Sequence, residues 1–345
     1  MESTELPFEI LNAIKFPNQA KFHPLKYILA LAEIIQNRNI QIFEDSRVID
    51  IKHKEKKYQI FTKENHIKAK YVVLATHYPI KNFPGMHFLK MYQDRSYAIA
   101  VELKQDNLKD MYISAESPSI SLRPINDSLL IIGGQGHKTG ANNIDIDKSY
   151  EKLEEYAKTI YSDFEVKYRW ATQDCVSIDK VPYIGEFSNI LPNIYVATGY
   201  KKWGMTTSNV AASIISDKIL GKENKYSKIY KATRFNPLKN HKEFGNILKQ
   251  TTYSLAINKI KKSKFTLEDI VPNSGGVIEY KGEKIGVYKD ENGETFKIKP
   301  YCKHLGCELS WNNLEKTWDC PCHGSRYDYK GNLIAEPSVK NLDIE

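Results

Sequence analysis

The sequence predicts an α/β (α+β) body followed by a small all-β domain, and three observations carry that reading. Residues 24–38, "PLKYILALAEIIQNR", place apolar residues at helical spacing, and a short wholly apolar run, "YVVLA", follows downstream. Such a run suits a strand buried on both faces of a parallel sheet. Residues 95–134 read as antiparallel strands, with "IND" as a hairpin turn. Beyond residue 265, "GGVIEYKGEKIGVYKDENGETFKI" shows strands parted by Gly and Asn turns and no helical period. A chain of 345 residues is long enough for two or three units.

Taken in order, Leu25, Ile28, Leu29, Ala32 and Ile35 share one helical face. "IQIFEDSRVIDIKHKEKKYQIFTKENHIKAKYVVLATHYP" then reads as strand, strand, a turn at "KEN", and the apolar strand, with "THYP" in the loop at its carboxyl end. "RSYAIAVEL", "MYISAE" and "SISLRPINDSLLIIGGQG" supply the antiparallel strands, and the glycines of "GGQGHKTG" read as a turn. Residues 147–162 form an amphipathic helix. "NIYVATGYKKWGMTTSNVAASIISDKILG" is strand, glycine loop and helix, with Gly221 as its stop. Residues 236–264 read as an irregular connector. The domains expected are a body over 1–235, this connector, and a β domain over 265–345.

Composition narrows the function. The net charge of +8 arises from 50 basic and 42 acidic residues spread along the chain, which reads as a solvated Lys-rich surface. No aromatic–basic motif points to nucleic acid. The opening "MESTELPFEI" has neither the basic nor the apolar region of a signal peptide, and no apolar run nears the roughly 18–20 residues of a membrane span. Only Cys175 lies outside the C-terminal cysteine cluster, unlike a disulfide-stapled secreted protein, and it reads as a small core residue. A cytoplasmic protein is expected.

Four of the five cysteines and two of the nine histidines fall between Cys302 and His323. Cys302-x-His304 and Cys320-x-x-His323 flank residues 305–319, with Cys307 and Cys322 interleaved. Two such pairs on two loops suit tetrahedral zinc, or a [2Fe–2S] centre with two thiolates on one iron and two imidazoles on the other.

The residues between the pairs carry a resemblance. "CKHLGC" and "CPCHGSRYD" resemble the cluster-binding loops of Rieske iron–sulfur proteins, and the extra cysteine in each loop is similar to the respiratory cytochrome type. The resemblance implies that Cys302 and Cys320 ligate one iron, His304 and His323 the other, and that Cys307 and Cys322 form a disulfide. Ser325 and Tyr327 match hydroxyl residues that hydrogen-bond to the cluster and its sulfur ligands. Neutral imidazoles and hydroxyl donors favour the reduced cluster, so the upper part of the range of about −150 to +300 mV is expected. One departure is Glu336 in "AEPSVKNL", where that family has glycine; Pro337 keeps the turn stiff.

The body carries a second resemblance. "KYVVLATHYP" resembles the strand-plus-Ala-Thr-Gly segment of FAD proteins, with His77 where glycine is usual. "PNIYVATGYKKWGMTTSNVAASIISDKILG" resembles the C-terminal flavin segment of the glycine oxidase and D-amino-acid oxidase superfamily, in which a helix points its positive end at the flavin. "LPFEILNAIKFPNQAKFHPLKYILALAE", "SLRPINDSLLIIGGQGHKTG" and "RWATQDCVSIDKVPYIG" resemble its other blocks. Together with the tail they are similar to bacterial FAD-dependent oxidoreductases with a C-terminal Rieske domain. The fold expected is an incomplete FAD-binding fold with an antiparallel substrate sheet, because the chain has no G-x-G-x-x-G for the FAD pyrophosphate. A separate chain supplying that N-terminal βαβ half is an expected partner, since this chain alone lacks the main anchor of the ADP moiety.

By the same resemblance Val48 meets the adenine side, Ala75 and Thr76 the middle of the cofactor, and Gly199, Gly204, Met205 and Thr206 the flavin. Arg123 has the fork geometry for a substrate carboxylate. His77 and His137, with His23, fall in blocks placed near the active site. Lys201 and Lys202 flank the flavin loop, and Asp179 and Lys180 read as a local pair or cap. The function expected is flavin oxidation of a small substrate, an amine or amino acid, coupled through the Rieske cluster to an electron-acceptor protein, with the histidines as the exposed exit. The alternative is a non-catalytic electron-transfer or redox-sensing module on a truncated flavoprotein scaffold.

Overall fold

The computed structural model describes residues 4–140, 146, 148–257, 263 and 266–345. Residue 147, the expected helix start, and residues 258–262, 264 and 265, where connector and β domain meet, lie outside the described residues. The chain divides into two compact units: residues 1–47, 97–135 and 149–171, and residues 48–96, 136–148 and 172–345.

The elements run α1 (Pro24–Asn37), β1 (Asp50–Lys54), β2 (Lys57–Phe61), β3 (His66–Ala69), β4 (Val72–Leu74), β5 (Met91–Leu103), β6 (Tyr112–Ile113), β7 (Ser121–Pro124), β8 (Leu129–Lys138) and α2 (Ser149–Ile160). They continue with β9 (Phe164–Ser177), β10 (Tyr183–Glu186), β11 (Ile194–Thr198), α3 (Gly204–Ile219), α4 (Ser227–Tyr230) and α5 (His241–Thr252). The C-terminal strands are β12 (Ser274–Tyr280), β13 (Glu283–Lys289), β14 (Thr295–Ile298), β15 (Ser310–Asn312), β16 (Thr317–Asp319), β17 (Arg326–Asp328) and β18 (Leu333–Ala335).

The first unit holds α1, α2, β6, β7 and the adjoining lengths of β5, β8 and β9, in a sheet of order β6-β7-β8-β5-β9. The β7–β8 hairpin turns at Ile125–Ser128, as "IND" predicts. Here two expectations fail. The glycines of "GGQG" are strand, not turn: β8 runs through them, and a Cβ on Gly134 would stand 3.1 Å from the Ser119 carbonyl. A glycine in a strand marks this kind of close backbone approach. "IQIFED" forms no strand, and Ile40, Ile42 and Phe43 are exposed. His23 is the N-cap of α1, its Nδ1 accepting from the Lys26 amide at 3.3 Å.

In the second unit β11 runs parallel to β4, and β10 pairs antiparallel with β11. The "YVVLA" reading stands for the parallel pairing of β4 but not for burial on both faces: Leu74 is buried, whereas Val73 on the opposite face is 43% exposed. Ala211, Ile214 and Ile215 of α3 cover one side of this sheet at Tyr195 and Ala197. On another cluster, Leu74, Tyr78, Met91, Cys175, Tyr183, Phe187 and Val196 pack together. Burial removes the Cys175 thiol from water and pushes its pKa up, in keeping with a core residue.

The connector is not irregular throughout: α5 occupies its middle, with Glu243 in its first turn, Lys249 in its last, and Ile247 buried. Charges so placed complement the helix dipole, and one buried apolar anchor suffices to seat a short helix. The C-terminal strands form sheets β12-β13-β14 and β15-β16-β17-β18 around Trp318 and Tyr327, both 0% exposed.

Candidate metal centre

Residues 302–307 follow β14, and residues 320–325 join β16 to β17. The two loops are closed alike. The Cys302 amide donates to the Cys307 carbonyl (2.9 Å) and the Gly306 amide to the Cys302 carbonyl (2.8 Å). In the second loop the Cys320 amide donates to the Ser325 carbonyl (2.8 Å) and the Gly324 amide to the Cys320 carbonyl (2.9 Å). Both glycines have φ near +80°, where a side chain would be strained.

Cys307 and Cys322 form a disulfide that ties the loops together, while Cys302 and Cys320 are free and buried. The sulfurs of Cys307, Cys320 and Cys322 lie within 4.8 Å of one another, but two of them are spent in the disulfide. Burial pushes the Cys302 thiol up, and hydrogen bonds with Cys320, Ser325 and Tyr327 outweigh it and bring it down to about 6. Its neighbour Cys320 is pushed the other way, by that same partner and by burial. Two thiolates held side by side in such a buried place need a cation beside them.

The imidazoles complete the set. His304 and His323 have ring centroids 5.0 Å apart. Burial lowers the pKa of His304 to about 3, with His323 beside it, and burial likewise lowers that of His323 to about 4, so both rings are neutral. In each ring Nε2 is engaged: His304 Nε2 lies 2.6 Å from Asn82 Oδ1, and His323 Nε2 lies 3.0 Å from the Phe88 carbonyl. Those oxygens only accept, so each Nε2 carries the proton. Each Nδ1 is then a bare lone pair, and both Nδ1 atoms are buried without a partner. Two free thiols and two orphaned imidazole nitrogens carried by the same two tied loops fit a metal centre of two sulfur and two nitrogen ligands.

Ser325 and Tyr327 stand beside it. The Tyr327 hydroxyl lies 3.6 Å from Cys302 Sγ and accepts from the Lys303 amide at 3.1 Å. Ser325 Oγ accepts from the Ser338 amide at 3.0 Å.

The residues expected at a flavin gather at the ends of β4 and β11. Ala75 and Thr76 follow β4, and Thr76 Oγ1 donates to the Tyr78 carbonyl at 2.8 Å. Gly199 follows β11, and Gly204, Met205 and Thr206 form the first turn of α3. Val48 packs at the edge of the Leu74–Val196 cluster. His77 hydrogen-bonds Glu336 through Nδ1 (2.9 Å) and accepts the Cys175 amide at Nε2 (3.3 Å). His137 is buried, with Nδ1 3.0 Å from the Lys138 carbonyl. Arg123 is an exposed residue of β7 in the first unit. Lys202 pairs with Asp174 at 3.1 Å, while Lys201 is exposed. Asp179 does cap locally, accepting from the Val181 amide, but its ion pair is with Arg234 (2.7 Å), not Lys180. Lys180 instead donates to the Tyr92 hydroxyl at 2.8 Å.

Sequence reasoning passed over Asn82, Phe88 and Tyr78, whose roles are set by neighbours distant in the chain. It also passed over Gln93 and Arg95, for which a signal existed. "MYQDRSYAI" alternates, and those two polar residues share the inward phase with Met91, Tyr97 and Ile99, all buried.

The sequence pattern of the family described as FAD dependent oxidoreductase (DAO) matches residues 1–218, and that of the Rieske [2Fe-2S] domain matches residues 265–344. The putative Rieske 2Fe-2S iron-sulfur protein YhfW of Bacillus subtilis is 38% identical over 334 residues, covering 96% of this chain and 65% of its own length. Cytochrome b6-f complex iron-sulfur subunit 1 of Nostoc sp. is 37% identical over 89 residues, 25% of this chain and 50% of its own. The chain thus spans 65% of the first relative and half of the second. Among solved structures, glycine oxidase from Geobacillus kaustophilus aligns with a TM-score of 0.52 at 19% identity, over 60% of this chain and 57% of that one, a likeness of fold.

Proposed function

From the premise that this chain belongs to the FAD-dependent oxidoreductase family and carries a C-terminal Rieske domain, we propose that it couples oxidation of a small substrate to single-electron transfer. The domains imply FAD and a [2Fe–2S] cluster, which when bound supply two-electron and one-electron chemistry respectively. An amine or amino acid is the substrate class proposed, and a protein the electron acceptor. The proposed division is body 1–235, connector 236–264 and Rieske domain 265–345, in a cytoplasmic protein.

Cys302 and Cys320 hold one iron in this reading, and His304 and His323 the other. Both thiols and His323 are buried and His304 is part-buried, and this desolvation keeps the imidazoles neutral, the form a metal needs. Ser325 and Tyr327 direct hydroxyls toward the sulfur side. At the flavin, Thr76, Gly199 and the first turn of α3 present backbone amides and a positive helix end to the cofactor, with Ala75 and Val48 further along it. A separate chain or segment with the G-x-G-x-x-G unit completes the dinucleotide site. Arg123, His77 and His137 are the candidates for substrate contact.

The observation that carries the proposal is the pair of buried, unpartnered Nδ1 atoms beside two free thiols. The test is an iron, sulfide and flavin assay on anaerobically purified protein, with EPR after dithionite. Two irons with a Rieske-type spectrum and stoichiometric FAD support the full reading. Two irons without flavin favour the non-catalytic electron-transfer or redox-sensing module, and zinc or no metal overturns both.

A further inference from the structure

The imidazole edge of the centre was expected to be its exposed exit. Instead, His323 is 1% exposed and His304 part-buried, and the two Nε2 protons end on Asn82 Oδ1 and the Phe88 carbonyl. Tyr78, itself fully buried, sets its ring edge-on to both imidazoles, with centroids 6.2 Å away in each case. Phe88 stands edge-on to His323 at 6.1 Å. Asn82, Phe88 and Tyr78 all belong to the stretch that leads out of β4, the strand whose end carries the expected flavin residues, and all share one compact unit with the loops.

We infer that the histidine edge is closed by this chain itself: the segment Thr76–Lys90 is its docking partner, and Asn82 and the Phe88 carbonyl are the acceptors that an outside partner would otherwise supply. The inference rests on the Rieske reading above and deepens it by naming the partner of that edge.

The contact around the edge is built to persist. Arg95 pairs with Glu315, Nε to Oε2 at 2.7 Å, with the arginine side chain 3% exposed. Gln173 Nε2 donates to the Gly324 carbonyl at 2.8 Å and its Oε1 accepts from Thr139 Oγ1 at 3.0 Å. A Cβ on Gly324 would stand 2.4 Å from Gln93 Cγ, and one on Gly140 2.5 Å from Pro321 Cα. Only glycine fits at either place. Surfaces that meet with so little space are packed like an interior, not like a transient encounter. An external electron partner must therefore engage the protein elsewhere, and Asn82 is a positioning residue that acts through His304.

The test uses the full chain loaded with its cluster and compares it with Asn82→Ala and Asn82→Asp. An acceptor on a ligating imidazole's N–H raises the electron density the ring gives to iron. The alanine variant is expected to raise the midpoint potential and the aspartate variant to lower it. Pulsed EPR after timed transfer to deuterated water reads the imidazole N–H directly. It is expected to exchange about tenfold more slowly in the wild type than in Asn82→Ala, the factor one ordinary hydrogen bond supplies. Opposite shifts in potential are not what a merely structural residue gives, since misfolding moves both variants the same way. Equal potentials in all three proteins, or equal exchange rates, overturn the inference while leaving the Rieske spectrum of the wild type standing. A wild type without that spectrum overturns the parent reading, and this one with it.

Discussion

His77 Nδ1 and Glu336 Oε1 lie 2.9 Å apart. His77 replaces the glycine of one pattern the chain resembles and Glu336 the glycine of the other, so the two departures meet. Burial pushes the Glu336 carboxyl up, but the hydrogen bond from His77 outweighs it and holds the group below its ordinary value. Burial works against a charged His77, but its partners Cys175 and Glu336 outweigh burial and push its pKa up. The Cys175 amide nevertheless requires Nε2 as an acceptor, so we place the ring at neutral pH as a neutral donor with its proton on Nδ1.

The pH dependence follows from Glu336. A carboxylate whose folded pKa is depressed stabilises the fold above its unfolded value, here 4.5, and loses that contribution as pH falls through the folded pKa. Wild type and Glu336→Gln should therefore differ by a constant amount above about pH 5 and converge in acid. The difference should not exceed about 1 kcal/mol, because both side chains are partly exposed. Thermal melts of the two proteins from pH 3 to 7 check this; a gap that widens in acid sinks it.

Glu315 gathers two guanidiniums. Besides Arg95 it accepts from Arg326 Nη2 at 3.0 Å, and Arg326 is held in turn by Asp319 (2.9 Å) and by the Thr317 hydroxyl (2.9 Å). Removing one partner of a buried pair costs about 3–5 kcal/mol when it strands a charge. Glu315→Gln leaves Arg95 without a carboxylate and should fall in that range. Arg95→Leu leaves Glu315 still paired with Arg326 and should cost less. Denaturant titrations of the two variants should rank them in that order, and the reverse ranking would show that Arg326 does not take up the load.

Much of this centre was legible in the sequence because cysteine, histidine, glycine and proline at fixed spacing report local geometry. Cys302, His304, Cys320 and His323 come together as two loops that each close on their own backbone, a property of a few consecutive residues. The β4–β11 pairing was readable because a short all-apolar run suits a parallel strand, although Val73 leaves one face of β4 open. What was illegible depends on distant partners. Asn82 and Phe88 carry no signature of their own, and the closed histidine edge follows from where β4's outgoing loop lies against residues more than two hundred positions later. "IQIFED" has a strand's alternation but, among the described residues, no neighbouring strand; alternation alone cannot supply a ladder partner. The "GGQG" turn failed because glycine marks close approach as well as reversal.

The disulfide should matter more to holding the loops than to the rest of the fold. It closes a sequence separation of 15 residues, worth about 3 kcal/mol in the chain-entropy account. Cys307 and Cys322 are both buried, which shields the bond from cellular thiols. Replacing both by serine should shorten the lifetime of the cluster absorbance on heating, with circular dichroism of the body little changed at the same temperature. Loss of both signals together would show that the bond supports the whole second unit.

Tyr327 and Ser325 should set the potential. The Tyr327 hydroxyl faces Cys302 Sγ at 3.6 Å, and a hydroxyl donor stabilises the more negative sulfur of the reduced state. Tyr327→Phe removes that donor and should lower the midpoint potential. A hydrogen bond worth about 1 kcal/mol corresponds to about 40 mV for one electron. Ser325→Ala should act in the same direction, and the double variant should fall short of the sum if the two hydroxyls act on one charge. Tyr327→Phe also leaves the Lys303 amide without its acceptor, so some loss of stability is expected alongside. A redox titration followed by circular dichroism of the cluster separates the two effects. An unchanged potential in Tyr327→Phe would mean that the hydroxyl serves the Lys303 amide alone.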